Sequence, residues 1–220
     1  MSDSLLSFTS VLYIDLELTC WDTAPSPGLR QEIIEIGVVE MDLDRLEITR
    51  EAKHYVRPAG LWEISDYCTK ITGITREDVL GAQPLEKVLN NLSDVFNPTT
   101  KWTVAWGQDV TVLQRACNLA GINTPFRRQL DLCRLFRELF LVDDQPSLKA
   151  AVDSLGMAFE GVPHGALPDA RNTARIHADI LQKLRRISRQ AEPTAADANS
   201  VSSLSPFGEK VSLIKLELGL

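Results

Sequence analysis

Two carboxylates one residue apart, Asp15 and Glu17, stand at the end of the apolar run Val11-Leu12-Tyr13-Ile14. Strand side chains repeat every second residue, so both acids project from one face, roughly 6 to 7 Å apart along the chain. Like charges that close repel each other, and a divalent cation bound through oxygen is the usual remedy. The plainer reading is a strand end running into solvent, where acids are ordinary. Two further acids favour the metal. Asp109 follows a strand pattern through Gly107-Gln108 and opens a helix pattern, and Asp169 does the same after Pro168, a favoured first-turn residue. Helix N-termini favour negative charge, which keeps such carboxylates ionised and open to a metal. Taken singly, each is more simply explained as a helix cap. His164 lies in the loop Gly161-Val162-Pro163-His164-Gly165, five residues before Asp169, where a neutral imidazole can take a proton from water. His54 and His177, in a strand and a helix pattern, read as solvated or internally satisfied residues.

The elements that must carry these residues follow from hydrophobic periodicity and breakers. Apolar or alternating runs at 11–19, 33–41 and 47–57, the last ended by Pro58, predict three strands with short connections, an antiparallel meander. Helical spacing predicts a helix over 84–96 closed by Pro98, a strand over 102–106, and a helix over 109–119 stopped by Gly121. Further helices are expected over 130–141, 148–155 and 170–187. A meander followed by alternating strand and helix predicts an α/β domain with a central mixed sheet.

With 220 residues, the chain is long enough for one domain with a sizeable core and a short appendage. We place the domain at 9–190. Residues 191–205, rich in Ala, Ser, Thr, Asn and Pro, read as a linker, and 211–218 as a strand-like tail. A net charge of -7 offers no general attraction to a polyanion, so nucleic acid must be held by bound metal or a local basic patch. Candidates for that patch are Arg127, Arg128, Arg134, Arg137, Arg171 and Arg175, each more simply read as a solvated helix residue. Four cysteines, at 20, 68, 117 and 133, make no C-x-x-C pair, which fits reduced, mostly buried thiols in the cytoplasm. No window approaches a membrane span, and residues 1–10 lack the basic start and apolar run of a secretion signal.

Several motifs together resemble one family. Asp15-Leu-Glu17-Leu-Thr-Cys20, Glu32-Ile-Ile-Glu-Ile-Gly37, Tyr55-Val-Arg-Pro58, Asp66-Tyr-Cys68 with Ile71-Thr-Gly-Ile74, and Phe159-x-Gly161-x-x-His164 leading to Asp169-Ala-Arg-Asn172 are similar to the DEDDh 3′-5′ exonucleases of the ribonuclease-H-like superfamily. The nearest branch is that of the histone-mRNA 3′ exonuclease (ERI-type) and the bacterial sporulation-inhibitor exonucleases. The likeness spans roughly residues 9 to 188, in order. It implies a ribonuclease-H-like fold, with Asp15, Glu17, Asp109 and Asp169 holding two Mg²⁺ (or Mn²⁺) ions and His164 acting as general base. It also implies that Leu18 and Thr19 face the terminal nucleotide. Two departures stand out. Gln108 occupies the place where much of the branch has an aromatic residue, leaving Trp62 or Trp106 to substitute as a base-stacking surface. The third motif reads His164-Gly-Ala-Leu-Pro-Asp169, where the branch commonly has Gly or Ala two residues after His and Asp directly before the aspartate, with the required spacing kept.

The expected activity is therefore metal-dependent 3′-5′ hydrolysis of single-stranded nucleic acid ends, RNA rather than DNA, to nucleoside 5′-monophosphates. The alternatives are a DNA exonuclease of the proofreading or repair kind, and a catalytically weak binding module that keeps the fold.

Overall fold

The computed structural model describes residues 8–60 and 62–190; the expected linker and tail lie outside the described residues. Six strands form a sheet in the order β4-β3-β2-β1-β5-β6. The meander is β1 (Ser10–Leu18), β2 (Ile33–Asp42) and β3 (Glu47–Arg57), each antiparallel to the next. β5 (Trp102–Ala105) runs parallel to β1, and β6 (Arg128–Asp131) parallel to β5. A two-residue strand, β4 (Gln83–Pro84), pairs with the end of β3. The helices are α1 (Asp66–Thr72), α2 (Arg76–Leu80), α3 (Leu85–Phe96), α4 (Asp109–Ala120), α5 (Leu132–Phe140), α6 (Leu148–Ser154) and α7 (Ala166–Gln190).

The period of two along β1 sorts its side chains into two apolar layers. Leu12, Ile14 and Leu16 pack with Leu89 and Leu92 of α3 and Val110 and Leu113 of α4. Val11 and Tyr13 point the other way, into a layer built with Phe136 of α5, Val152 of α6 and Ile180 of α7. Asp15 and Glu17 continue the second row, so they emerge beneath α7. Since β1 and β5 are parallel, the end of β1 and the start of α4, four residues past β5, lie at the same edge of the sheet. That edge is where open α/β sheets place their sites.

Three expectations are corrected. The helix expected over 130–141 is preceded by strand β6, and Asp131 caps α5 by accepting from the Arg134 amide at 3.0 Å, so the helix begins at Leu132. The helix expected over 170–187 begins earlier, at Ala166, because its first amide finds a carboxylate on β2, described below. The short helices α1 and α2 were not expected, although Ser65 and Thr75 cap them, the latter with a capping box to Asp78. His177 is internally satisfied, as expected: its Nδ1 lies 2.8 Å from the buried Tyr13 hydroxyl, and burial pushes the imidazole down to about 4. All four cysteines are free. Among the described residues, no helix is long and apolar enough to cross a membrane.

Candidate active site

Register fixes the first two acids. In the β1–β2 pair Asp15 lies opposite Gly37 and Glu17 opposite Glu35, all on the face that α7 covers. α7 can start there because Gly37 has no side chain: a Cβ would run into the Ala166 backbone and lie 2.5 Å from the Leu167 nitrogen. The helix thus brings Asp169, in its first turn, over β1. Carboxylate oxygens of Asp15, Glu17 and Asp169 all fall within 4.8 Å of one another. Asp109 stands outside that tight group, yet is near enough for its charge to act on all three.

The electrostatics are those of a site short of positive charge. Burial first, then the neighbouring acids, pushes Glu17 up to about 8 and Asp169 up to about 7. Asp15 is raised well above the usual carboxylate range by burial and then by Asp109, Asp169, Glu17 and Glu35. Asp109 rises to about 6, again through burial, while the amides of Asp109 and Leu16 hold it back. Asp169 Oδ1 is buried and meets no donor among the described residues. Its Oδ2 accepts the His164 amide at 3.4 Å. Clustered, partly unpartnered carboxylates of this kind fit hard divalent cations. His164 itself is exposed, with a left-handed backbone (φ 64°), two residues before α7 begins.

A protein-family model described as "Exonuclease" matches residues 12–177. The chain belongs to this exonuclease family. It is similar to human 3′-5′ exoribonuclease 1, at 30% identity over 90% of this chain and 59% of that protein. Among solved structures it resembles the nuclease domain of 3′hExo, described as a DEDDh family member bound to rAMP. The TM-score is 0.72 at 29% identity, covering 80% of this chain and 93% of that one. It also resembles the 3′-exonuclease in a structure of 3′-end recognition of the histone mRNA stem-loop, with TM-score 0.71 at 28% identity, covering 80% and 82%. The chain thus spans about 59% of the length of the human relative. The ribonuclease-H-like fold and the DEDDh resemblance expected from sequence are both borne out.

Within this exonuclease fold the remaining expected residues have varied surroundings. Leu18 lines a cleft of about 460 Å³ that runs between α3 and α4, past Leu85, Val112 and Arg115. This cleft does not include the acids. Thr19 is fully buried, and its hydroxyl accepts the Glu32 amide at 2.9 Å. Trp106 donates its indole N–H to Pro146 O at 3.1 Å and sets its ring edge-on to Phe136. Trp62 carries the Arg76 guanidinium over its ring. Gln108 reaches Asp131 Oδ2 at 3.1 Å. Of the six arginines, Arg171 is held by Glu51, Arg175 by Glu160 and Asn172, and Arg137 by the carbonyls of Val142 and Asp143. Arg128 lies over the Phe8 ring, while Arg134 and Arg127 line shallow pockets beside α4.

Two residues at this edge escaped sequence reasoning. Tyr67, 38% exposed, rides on α1, which is lashed to the chain just beyond Glu17: Ser65 Oγ donates to Cys20 O at 2.7 Å and Cys68 Sγ lies 3.7 Å from Leu18 O. The signal was the Ser65 cap inside the Asp66-Tyr-Cys68 motif. Glu35 faces Glu17 from β2 but is only 2% exposed. Its signal was an acid flanked by Ile34 and Ile36 in the middle of a largely apolar strand.

Proposed function

We propose that this chain is a divalent-metal-dependent 3′-5′ exonuclease that shortens single-stranded RNA and releases nucleoside 5′-monophosphates. The observation that carries the reading is the convergence of Asp15, Glu17 and Asp169 within 4.8 Å, beneath the loop that presents His164. These three acids with Asp109 would hold two Mg²⁺ ions, with Mn²⁺ able to replace them. Bound divalent ions supply the positive charge that the attacking water, the scissile phosphate and the departing 3′-oxygen need.

The chain's own residues do the rest. His164, on an exposed loop, accepts the proton of the attacking water as general base. Leu18 and the backbone at Thr19 bound the terminal nucleotide at the end of β1. Trp106 packs its partly buried ring against Phe136, Trp62 carries Arg76 and Gln108 is tied to Asp131, so in this reading the terminal base stacks on Tyr67, exposed on α1 beside the end of β1. RNA rather than DNA is supported by the names of the relatives, an exoribonuclease and an enzyme of histone mRNA ends. Residues 9–190 form the exonuclease domain in this reading, and four free thiols suit the cytoplasm. An intact set of acids with no counter-ion among the described residues opposes a pure binding module, which has no use for their mutual repulsion. The test is release of 5′-mononucleotides from a 3′-labelled RNA oligomer: Mg²⁺ should start it and a chelator stop it. Absence of mononucleotide at any Mg²⁺ or Mn²⁺ concentration would reject the reading.

A further inference from the structure

Five acids crowd this edge of the sheet, and one differs from the rest. Glu35 has both carboxylate oxygens engaged: Oε1 lies 2.9 Å from Lys53 Nζ, and Oε2 accepts the Ala166 amide at 2.8 Å. Asp169, by contrast, keeps an oxygen with no donor among the described residues. We propose that Glu35 is a positioning residue, a peg that fixes the first turn of α7 to β2 and so sets Asp169 and the His164 loop over Asp15 and Glu17.

The chain of contacts is short. Ala166 is the first residue of α7 and one of the helix residues whose amides lack an intrahelical acceptor. Glu35 supplies that acceptor from beneath, and its charge favours a helix N-terminus. The next links are the Asp169 amide donating to Gly165 O at 3.0 Å and the His164 amide donating to Asp169 Oδ2 at 3.4 Å. A shift of Ala166 therefore carries a metal-site acid and the general base with it. Lys53 makes the arrangement tolerable, since it stands on β3 opposite Gly37 and gives the buried carboxylate its counter-charge. Gly37 clears the space, and Glu35 holds what enters it. One turn further on, Arg171 bonds Glu51 on β3 at 2.8 and 2.5 Å. This second clamp holds the body of the helix and has no link to the His164 loop.

The proposal rests on the exonuclease reading above, and the experiment separates the two. Glu35→Ala, Glu35→Gln and Glu51→Gln are compared with wild type in four readouts: kcat and KM on a single-stranded RNA oligomer, Mn²⁺ binding by electron paramagnetic resonance, and Tm. Residues that orient ligands typically change metal affinity or activity about 10- to 100-fold. Glu35→Ala should lose about that much kcat and bind Mn²⁺ about 10-fold more weakly, with oligomer KM nearly unchanged. Glu35→Gln keeps a carbonyl oxygen for the Ala166 amide and should recover most of both. Glu51→Gln should lower Tm yet leave kcat and Mn²⁺ binding alone. Wild-type Mn²⁺ binding and kcat in Glu35→Ala would overturn the positioning role, as would equal losses in Glu35→Ala and Glu35→Gln. A wild-type protein that binds Mn²⁺ but shortens no RNA would overturn the exonuclease reading instead, and the Mn²⁺ series would still decide the role of Glu35.

Discussion

Gly37 and Ala166 meet backbone to backbone: α7 begins so close over β2 that the Leu167 nitrogen would lie 2.5 Å from any Cβ at position 37. Neither partner is a flexible side chain that can give way. Gly37→Ala should therefore displace the first turn of α7, and Asp169 with it. Overpacking of this kind costs about 1–3 kcal/mol, more where backbone must move. We expect a lower Tm together with loss of nuclease rate, read by thermal denaturation and oligomer shortening. An unchanged Tm would show that α7 has room to spare.

Stability without metal should depend on pH in a specific direction. Glu17, Asp169 and Asp109 are raised to about 8, 7 and 6 from 4.5, 3.8 and 3.8. A raised value means that the folded protein holds these protons where the unfolded chain has released them. Their contribution is complete below the ordinary carboxylate values and is lost as pH rises through 6 to 8. Metal-free Tm should fall between pH 5 and pH 8.5, and Mn²⁺, competing with the same protons, should restore more at pH 8.5 than at pH 5. A flat metal-free profile, or equal rescue at both pH values, would contradict this picture of the site.

The sequence carried the site more clearly than the scaffold. Asp15 and Glu17 were legible because strand period alone puts them on one face, and Asp109 and Asp169 because each opens a helix pattern after a breaker. Glu35 was not, since the run Ile33 to Met41 reads as a buried strand whether Glu35 points to water or to a helix end, and Glu40 in the same run gives the same signal. Only the β1–β2 register shows that it faces Glu17. β6 was hidden by its length: four residues merging with an apolar helical pattern look like its first turn, and pairing with β5 decides otherwise. The start of α7 failed for a related reason, because its cap comes from a residue 131 positions earlier.

Tyr67 should matter for substrate and little for stability. Stacking of a base on an aromatic is worth about 1–3 kcal/mol. Tyr67→Ala should therefore raise KM for single-stranded RNA about 10-fold, taking about 1.4 kcal/mol as tenfold, with Tm close to wild type because the ring is exposed. Trp106→Phe should instead lower Tm by removing the bond to Pro146. If Tyr67→Ala leaves KM alone, the terminal base is held elsewhere, and Leu18 becomes the first residue to change.

For His164 the expected signature is kinetic. General-base assistance contributes about 10²- to 10⁴-fold, so His164→Ala should lose about that much kcat at saturating metal. Mononucleotide and Mn²⁺ binding should persist, since no carboxylate is removed. A wild-type rate in His164→Ala would remove His164 from the reaction.

Under the proposed function, the acids at the end of β1 hold the metal that cuts RNA from its 3′ end. That role is tested most directly by following a 5′-labelled single-stranded RNA through digestion by wild type and by Asp15→Asn, with and without Mg²⁺. Wild type with Mg²⁺ should give a ladder of progressively shorter labelled oligomers, while wild type without Mg²⁺ and Asp15→Asn should leave full-length RNA, and the metal-free Tm of Asp15→Asn should be level or higher because one buried acid is removed from among the others. Immediate release of labelled mononucleotide, shortening without a divalent ion, or an Asp15→Asn protein as fast as wild type would contradict that role.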